Sequence, residues 1–74
     1  MLSLQYIIML ESSSIDIEYF TGGRYTYQGD VYATLGNQRE AKRFKSAKVA
    51  QRSADSLNKF SAQNGIFYVC EVDE

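Results

Sequence analysis

The sequence predicts an α+β domain: a small antiparallel β-sheet laid out as a meander, one amphipathic helix packed on one face, and a C-terminal strand. Three observations predict it. Apolar runs of strand length, alternating or continuous, fill the first half of the chain and its end. Between them Ala47, Ala50, Ala54 and Leu57 recur at three- and four-residue spacing, the period of a helix face. Glycines and short polar clusters punctuate the runs where the chain has to turn. A length of 74 residues gives room for one domain, spanning 1–74, and for no second core.

The first run, Leu4-Gln5-Tyr6-Ile7-Ile8-Met9-Leu10, is rich in β-branched and aromatic residues and reads as a strand. Leu4, Tyr6, Ile8 and Leu10 share one face and Ile7 and Met9 the other, so the strand is expected to be central or covered on both sides. Ser12-Ser13-Ser14 reads as a turn. In Ile15-Asp16-Ile17-Glu18-Tyr19 the alternation points Ile15, Ile17 and Tyr19 inward and the two acids outward. Gly22-Gly23 is expected to reverse the chain in a hairpin, because glycine reaches positive φ without steric cost. Arg24 to Gln28 then alternates again, with Tyr25 and Tyr27 on one face, and Gly29-Asp30 makes a further turn or a bulge. Val31 to Leu35 is a short strand that Gly36-Asn37 closes. Arg39 to Phe44 fits a helical turn as well as a strand. The helix is expected to start at Ser46 as N-cap and to stop at Asn64-Gly65. Ile66 to Val72, apolar on both faces, reads as a strand pairing near the first.

Composition removes several chemistries. The chain has no histidine and a single cysteine, Cys70, so it can form no internal disulfide and assembles none of the usual zinc ligand sets. The commonest general base is missing, and Cys70 lies in a strand with no imidazole to activate it; its expected role is that of a small buried hydrophobe. No catalytic, metal or cofactor residue is assigned. Asp16 and Glu18 share a strand face in the manner of solvated acids, and Gly22-Gly23 lacks the lysine and hydroxyl residue of a phosphate loop. The opening apolar run has no basic flank or small-residue cleavage site and is too short to span a bilayer, which predicts a cytoplasmic protein with no membrane partner.

Charge is divided unevenly. Seven basic residues between Arg39 and Lys59 face two acids, a net of +5, while the rest of the chain carries −6 with Arg24 its only cation. Such polarity favours a complementary partner or a second copy of the chain. The tyrosines indicate where a protein partner would sit. Six tyrosines are many for so small a core, and tyrosine with arginine is what interface hot spots favour. The expected protein-binding residues are therefore Arg24, Tyr25, Tyr27 and Tyr32, with the acidic strand edge of Asp16, Glu18 and Asp30. One helix covers one face of a sheet whose two faces both carry apolar residues, so a homodimer is also expected. The alternative is an RNA- or DNA-binding protein that grips phosphates with Arg39, Lys42, Arg43, Lys45, Lys48 and Arg52 and stacks bases on Tyr25 and Tyr27. A third reading is a structural protein whose only partner is itself.

The order Tyr6-Ile7-Ile8, then Tyr19-Phe20-Thr21-Gly22, then Ala41-Lys42-Arg43-Phe44-Lys45-Ser46 followed by an alanine-spaced helix, resembles small accessory proteins of bacteriophages and prophages. The resemblance covers most of the chain and carries no functional residues across. It implies a compact, non-enzymatic factor acting in the cytoplasm of an infected bacterium, where some such proteins resemble inhibitors of host defence of the anti-CRISPR kind. The implied partner is a host protein, one that binds nucleic acid among the options.

Overall fold

A computed structural model describes residues 4–12 and 17–73, with the backbone alone for Asp73. The fold is α+β, as the sequence predicts. Strands β1 (Leu4–Glu11), β2 (Glu18–Tyr27) and β3 (Asp30–Gly36) form the meander, a single 3-10 turn spans Gln38–Glu40, helix α1 (Ala47–Phe60) follows, and β4 (Ile66–Asp73) ends the domain. All neighbouring strands are antiparallel, in the order β3-β2-β1-β4. β1 is therefore central, which its two apolar faces require. Its full-length partner is β4, from Leu4↔Asp73 to Glu11↔Ile66.

The register divides the residues into two layers. Ile8 and Leu10 of β1, Phe20 of β2, Ala33 of β3 and Phe67 of β4 meet Phe44 and the helix residues Ala50, Ala54 and Leu57 in one core. The alanine stripe is what lets the helix lie this close, since a larger side chain at either fully buried alanine would hold it off the sheet. Ser46 caps α1 as expected, its Oγ accepting from the Val49 amide at 3.4 Å.

Several local expectations are corrected. Gly22-Gly23 does not reverse the chain; it lies inside β2, in a bulge where the pairing with β3 jumps from Phe20↔Leu35 to Arg24↔Ala33. Thr34 holds this bulge, its Oγ1 lying 2.6 Å from Thr21 Oγ1 and accepting from the Gly23 amide at 2.9 Å. The reversal comes at Gln28-Gly29, whose φ values of 51° and 84° are those of a two-residue type I′ turn matched to the twist of a hairpin. Nor does Asn64-Gly65 stop the helix. α1 ends at Phe60 with Ser61 as an extended C-cap, and Gly65 takes its φ of +122° at the entry to β4. Ile17, expected inward, is 56% exposed, because Tyr19 and its same-side neighbours belong to the face the helix leaves uncovered. Ile15 and the turn at Ser13-Ser14 lie outside the described residues.

The stretch 39–44, open to either reading, resolves into a 3-10 turn and an extended wedge. Asn37 and Glu40 form a reciprocal capping box, each side chain accepting from the other's backbone amide at 3.1 Å. Beyond it the chain slots between β1 and β2, which share only Met9↔Tyr19 and Leu10↔Glu18. Lys42 N donates to the Phe20 carbonyl at 2.9 Å, and Tyr6 and Phe44 exchange both backbone bonds, at 2.9 and 2.8 Å. The wedge thus satisfies groups that the divergence of the two strands would leave bare.

Both sheet edges are tied to the end of α1 by amide side chains. Asn58 donates to the Phe67 carbonyl at 2.8 Å and accepts from its N–H at 2.7 Å, imitating a strand neighbour for β4. Gln63 does the same for Ala33 of β3, at 2.7 and 3.0 Å, while the Ala62 amide donates to the Val31 carbonyl at 2.9 Å. Ser61 Oγ hydrogen-bonds Gln63 Oε1 and steadies that amide. At the residues so capped, the edge has no free backbone groups to offer another chain.

Candidate interaction face

The face of the sheet away from α1 collects tyrosines. Strand alternation places Tyr19, Tyr25 and Tyr27 of β2, Tyr32 of β3 and Tyr68 of β4 on it, because Tyr19 and Tyr68 both pair with Met9 and Tyr25 pairs with Tyr32. Five of the six tyrosines thus share one side; Tyr6 alone packs against the helix-side core. Tyr25 and Tyr32 stack with ring centroids 5.4 Å apart and planes inclined by 20°. Tyr25 and Tyr27 are 51% and 60% exposed, and Ile66 at the other end of the face is 65% exposed. Met9, Cys70 and Val72 lie half-buried among them. The result is a partly exposed aromatic surface carrying phenol hydroxyls, which suits a wet protein contact better than a dry core.

Of the residues expected to bind protein, Tyr25, Tyr27 and Tyr32 are brought together and Arg24 is not. Arg24 pairs with Ala33 on the helix side, and its Nη2 reaches Ser56 Oγ at 3.4 Å. Glu18 and Asp30 stand at opposite ends of β2 and β3, Glu18 opposite Leu10 and Asp30 opposite Tyr27, so they form no single edge. Asp16 lies outside the described residues. Tyr19 and Tyr68 belong to the face and were not singled out from the sequence. The period-2 reading of residues 66–72 would have found Tyr68 once the covered side of β4 was known.

The basic residues are distributed over three elements. Arg39, Lys42, Lys45, Lys48 and Arg52 are exposed, while Arg43 is half-buried with Nη2 3.5 Å from the Gln38 carbonyl. Asn37, Gln38, Arg39 and Arg43 line a shallow open depression. The Lys42 ammonium lies 5.5 Å from the centre of the Phe44 ring. Lys48 and Arg52 ride on α1, the layer covering the opposite side of the sheet from Tyr25 and Tyr27. A single surface combining those two cations with the stacked tyrosines is therefore not formed.

Two titrating groups on the tyrosine face are perturbed. Burial pushes the Cys70 thiol up, which lowers its thiolate fraction and its reactivity. Desolvation, and then the carboxylate of Glu11, raise Tyr68 above its ordinary 10.0. The folded state thus holds the Tyr68 proton more tightly than the unfolded chain does, so stability is unaffected at neutral pH and falls as pH rises past the unfolded value. Glu11→Gln is expected to lower the tyrosinate midpoint assigned to Tyr68 and to soften that alkaline loss, read by ultraviolet titration of the wild type, Glu11→Gln and Tyr68→Phe. No change on Glu11→Gln would mean that the carboxylate does not reach the phenol.

Among the described residues, no helix is long and apolar enough to cross a membrane and no group of acids and cysteine is placed to hold a metal ion. No protein-family model, curated protein or solved structure matches the chain.

Proposed function

We propose that this protein is a non-enzymatic interaction module that docks its tyrosine face on a protein partner, as a phage-type factor that blocks or modulates a host protein in the bacterial cytoplasm. The observation that carries this reading is the gathering of five tyrosines on the one sheet face the helix leaves uncovered. Aromatic side chains supply large contact area at low entropic cost, and a stable protein contact needs about 800 Å² per partner. The chemistry of the face points the same way: phenols, a thioether and a thiol of raised pKa offer contact area and hydrogen bonds, with no activated nucleophile.

The test is capture from bacterial lysate on the tagged protein, with and without nuclease, followed by titration of the captured protein against wild type and Tyr25→Ala/Tyr27→Ala. The double variant is expected to bind at least about tenfold more weakly, which corresponds to roughly 1.4 kcal/mol, while keeping the wild-type circular dichroism spectrum. Recovery of nucleic acid alone, lost after nuclease and indifferent to the tyrosines, would overturn the reading and favour the exposed cations Arg39, Lys42, Lys45, Lys48 and Arg52. Binding would then weaken steeply with salt.

A further inference from the structure

The two edges of the sheet are closed unequally. On β3 the Val31 carbonyl and both outward groups of Ala33 are met by residues 62 and 63. On β4 the Asn58 amide covers Phe67 alone. Because alternate residues of a strand direct their backbone groups to the same side, the N–H and C=O of Val69 and Glu71 point outward as those of Phe67 do. No hydrogen bond from the described residues reaches them. β4 therefore presents a short bare ladder, bounded on one side by the Asn58 cap.

We propose that this ladder pairs with the same ladder of a second copy, antiparallel about a two-fold axis at Cys70. The choice of occupant follows from the register. Val69 and Glu71 flank Cys70 symmetrically, so a two-fold at Cys70 sets each Val69 opposite the Glu71 of the other copy and satisfies the outward groups of both residues in two reciprocal pairs of backbone bonds. The ladder stops where the next residue opposite would be Phe67, whose groups Asn58 already holds. Centring the axis on Glu71 instead would set like charges directly opposite one another, which is destabilising. On the tyrosine side the Cys70 register sets Tyr68 against Val72 of the second copy and Cys70 against Cys70, so the two tyrosine faces join into one surface across the axis. On the helix side the two Glu71 carboxylates lie diagonal to each other and oppose the pairing. The strand contact is small, which sets the association in the micromolar range or weaker. This inference stands apart from the tyrosine-face reading, since a dimer can form with or without a third partner.

Sedimentation across a concentration series is expected to show a reversible dimer that tightens in Glu71→Gln. Mild oxidation with oxidised glutathione should cross-link wild type through Cys70, because residues opposite each other at a non-hydrogen-bonded site have a Cα separation a disulfide can span. The comparison chain, Cys70→Ala/Val72→Cys, keeps one thiol but sets it opposite Tyr68, and it is expected to cross-link far more slowly. Adding Tyr68→Cys to that chain should restore the cross-link. A monomer at every concentration, or equal cross-linking of thiols at 70 and 72, overturns the proposal.

Discussion

Gly65→Ala is expected to leave the domain largely unfolded at 25 °C. Gly65 combines two constraints that no other side chain meets together. Its φ of +122° is a conformation L residues rarely adopt, and an added Cβ would sit 2.3 Å from the Glu11 carbonyl oxygen, a backbone atom of the central strand that has nowhere to move. Relief would require β1 and β4 to separate at Glu11↔Ile66, the end of the longest ladder in the sheet. Strain of this kind costs on the order of 2–4 kcal/mol. A chain of 74 residues has a few kcal/mol to lose in all. Gly29→Ala is the matched control: it too has positive φ, at +84°, but its Cβ would meet nothing within 4 Å. It is expected to cost only about 1 kcal/mol. Urea unfolding of the two variants checks the contrast. Equal stabilities would mean that β4 enters the sheet by a different path.

Asn58→Ala is expected to cost about 2–3 kcal/mol, although Asn58 is an exposed residue. The loss arises at Phe67, whose N–H and C=O together lose their only partner, and at the helix end that Asn58 ties to β4. Asn58→Asp separates an amide from a merely polar group. The carboxylate still accepts from the Phe67 amide but sets an oxygen against the Phe67 carbonyl where Asn58 sets a donor. Asp is therefore expected to be no better than Ala near neutral pH. Denaturant midpoints for Asn58→Ala, Asn58→Asp and Asn58→Gln decide it, and an Asp variant of wild-type stability would show that one hydrogen bond suffices.

The layers of this fold were legible in the sequence because each rests on a repeating pattern. Ala50, Ala54 and Leu57 declare a helix face, and the doubly apolar β1 and β4 declare a centre and its partner. Features that rest on a single side chain were not legible. Nothing local marks Asn58 or Gln63 as edge caps, since an amide side chain near a helix end reads the same in the sequence whether it meets water or a strand 30 residues away. Gly22-Gly23 misled for a related reason. Two glycines satisfy a hairpin and a bulge equally well, and Thr34, which holds the bulge, lies 13 residues from Thr21. The placement of the tyrosines was half legible. Alternation grouped Tyr25 with Tyr27, but which face α1 would cover depended on the crossover from β3 to β4, which no short-range pattern encodes.

The pairing of Leu4 with Asp73 also sets a timetable for folding. β1, the most apolar strand, has only two register partners in β2 and finds its full-length neighbour in β4, more than fifty residues further along the chain. Contacts of such long sequence separation form slowly, because the intervening chain must be ordered before they reward it. On a ribosome, therefore, Ile7 and Ile8 wait unpaired until β4 emerges, and the nascent chain is most prone to aggregate just before it is complete through residue 73. No shorter piece holds the central ladder, so the domain is expected to fold as one all-or-none unit once β4 is free to pair with β1.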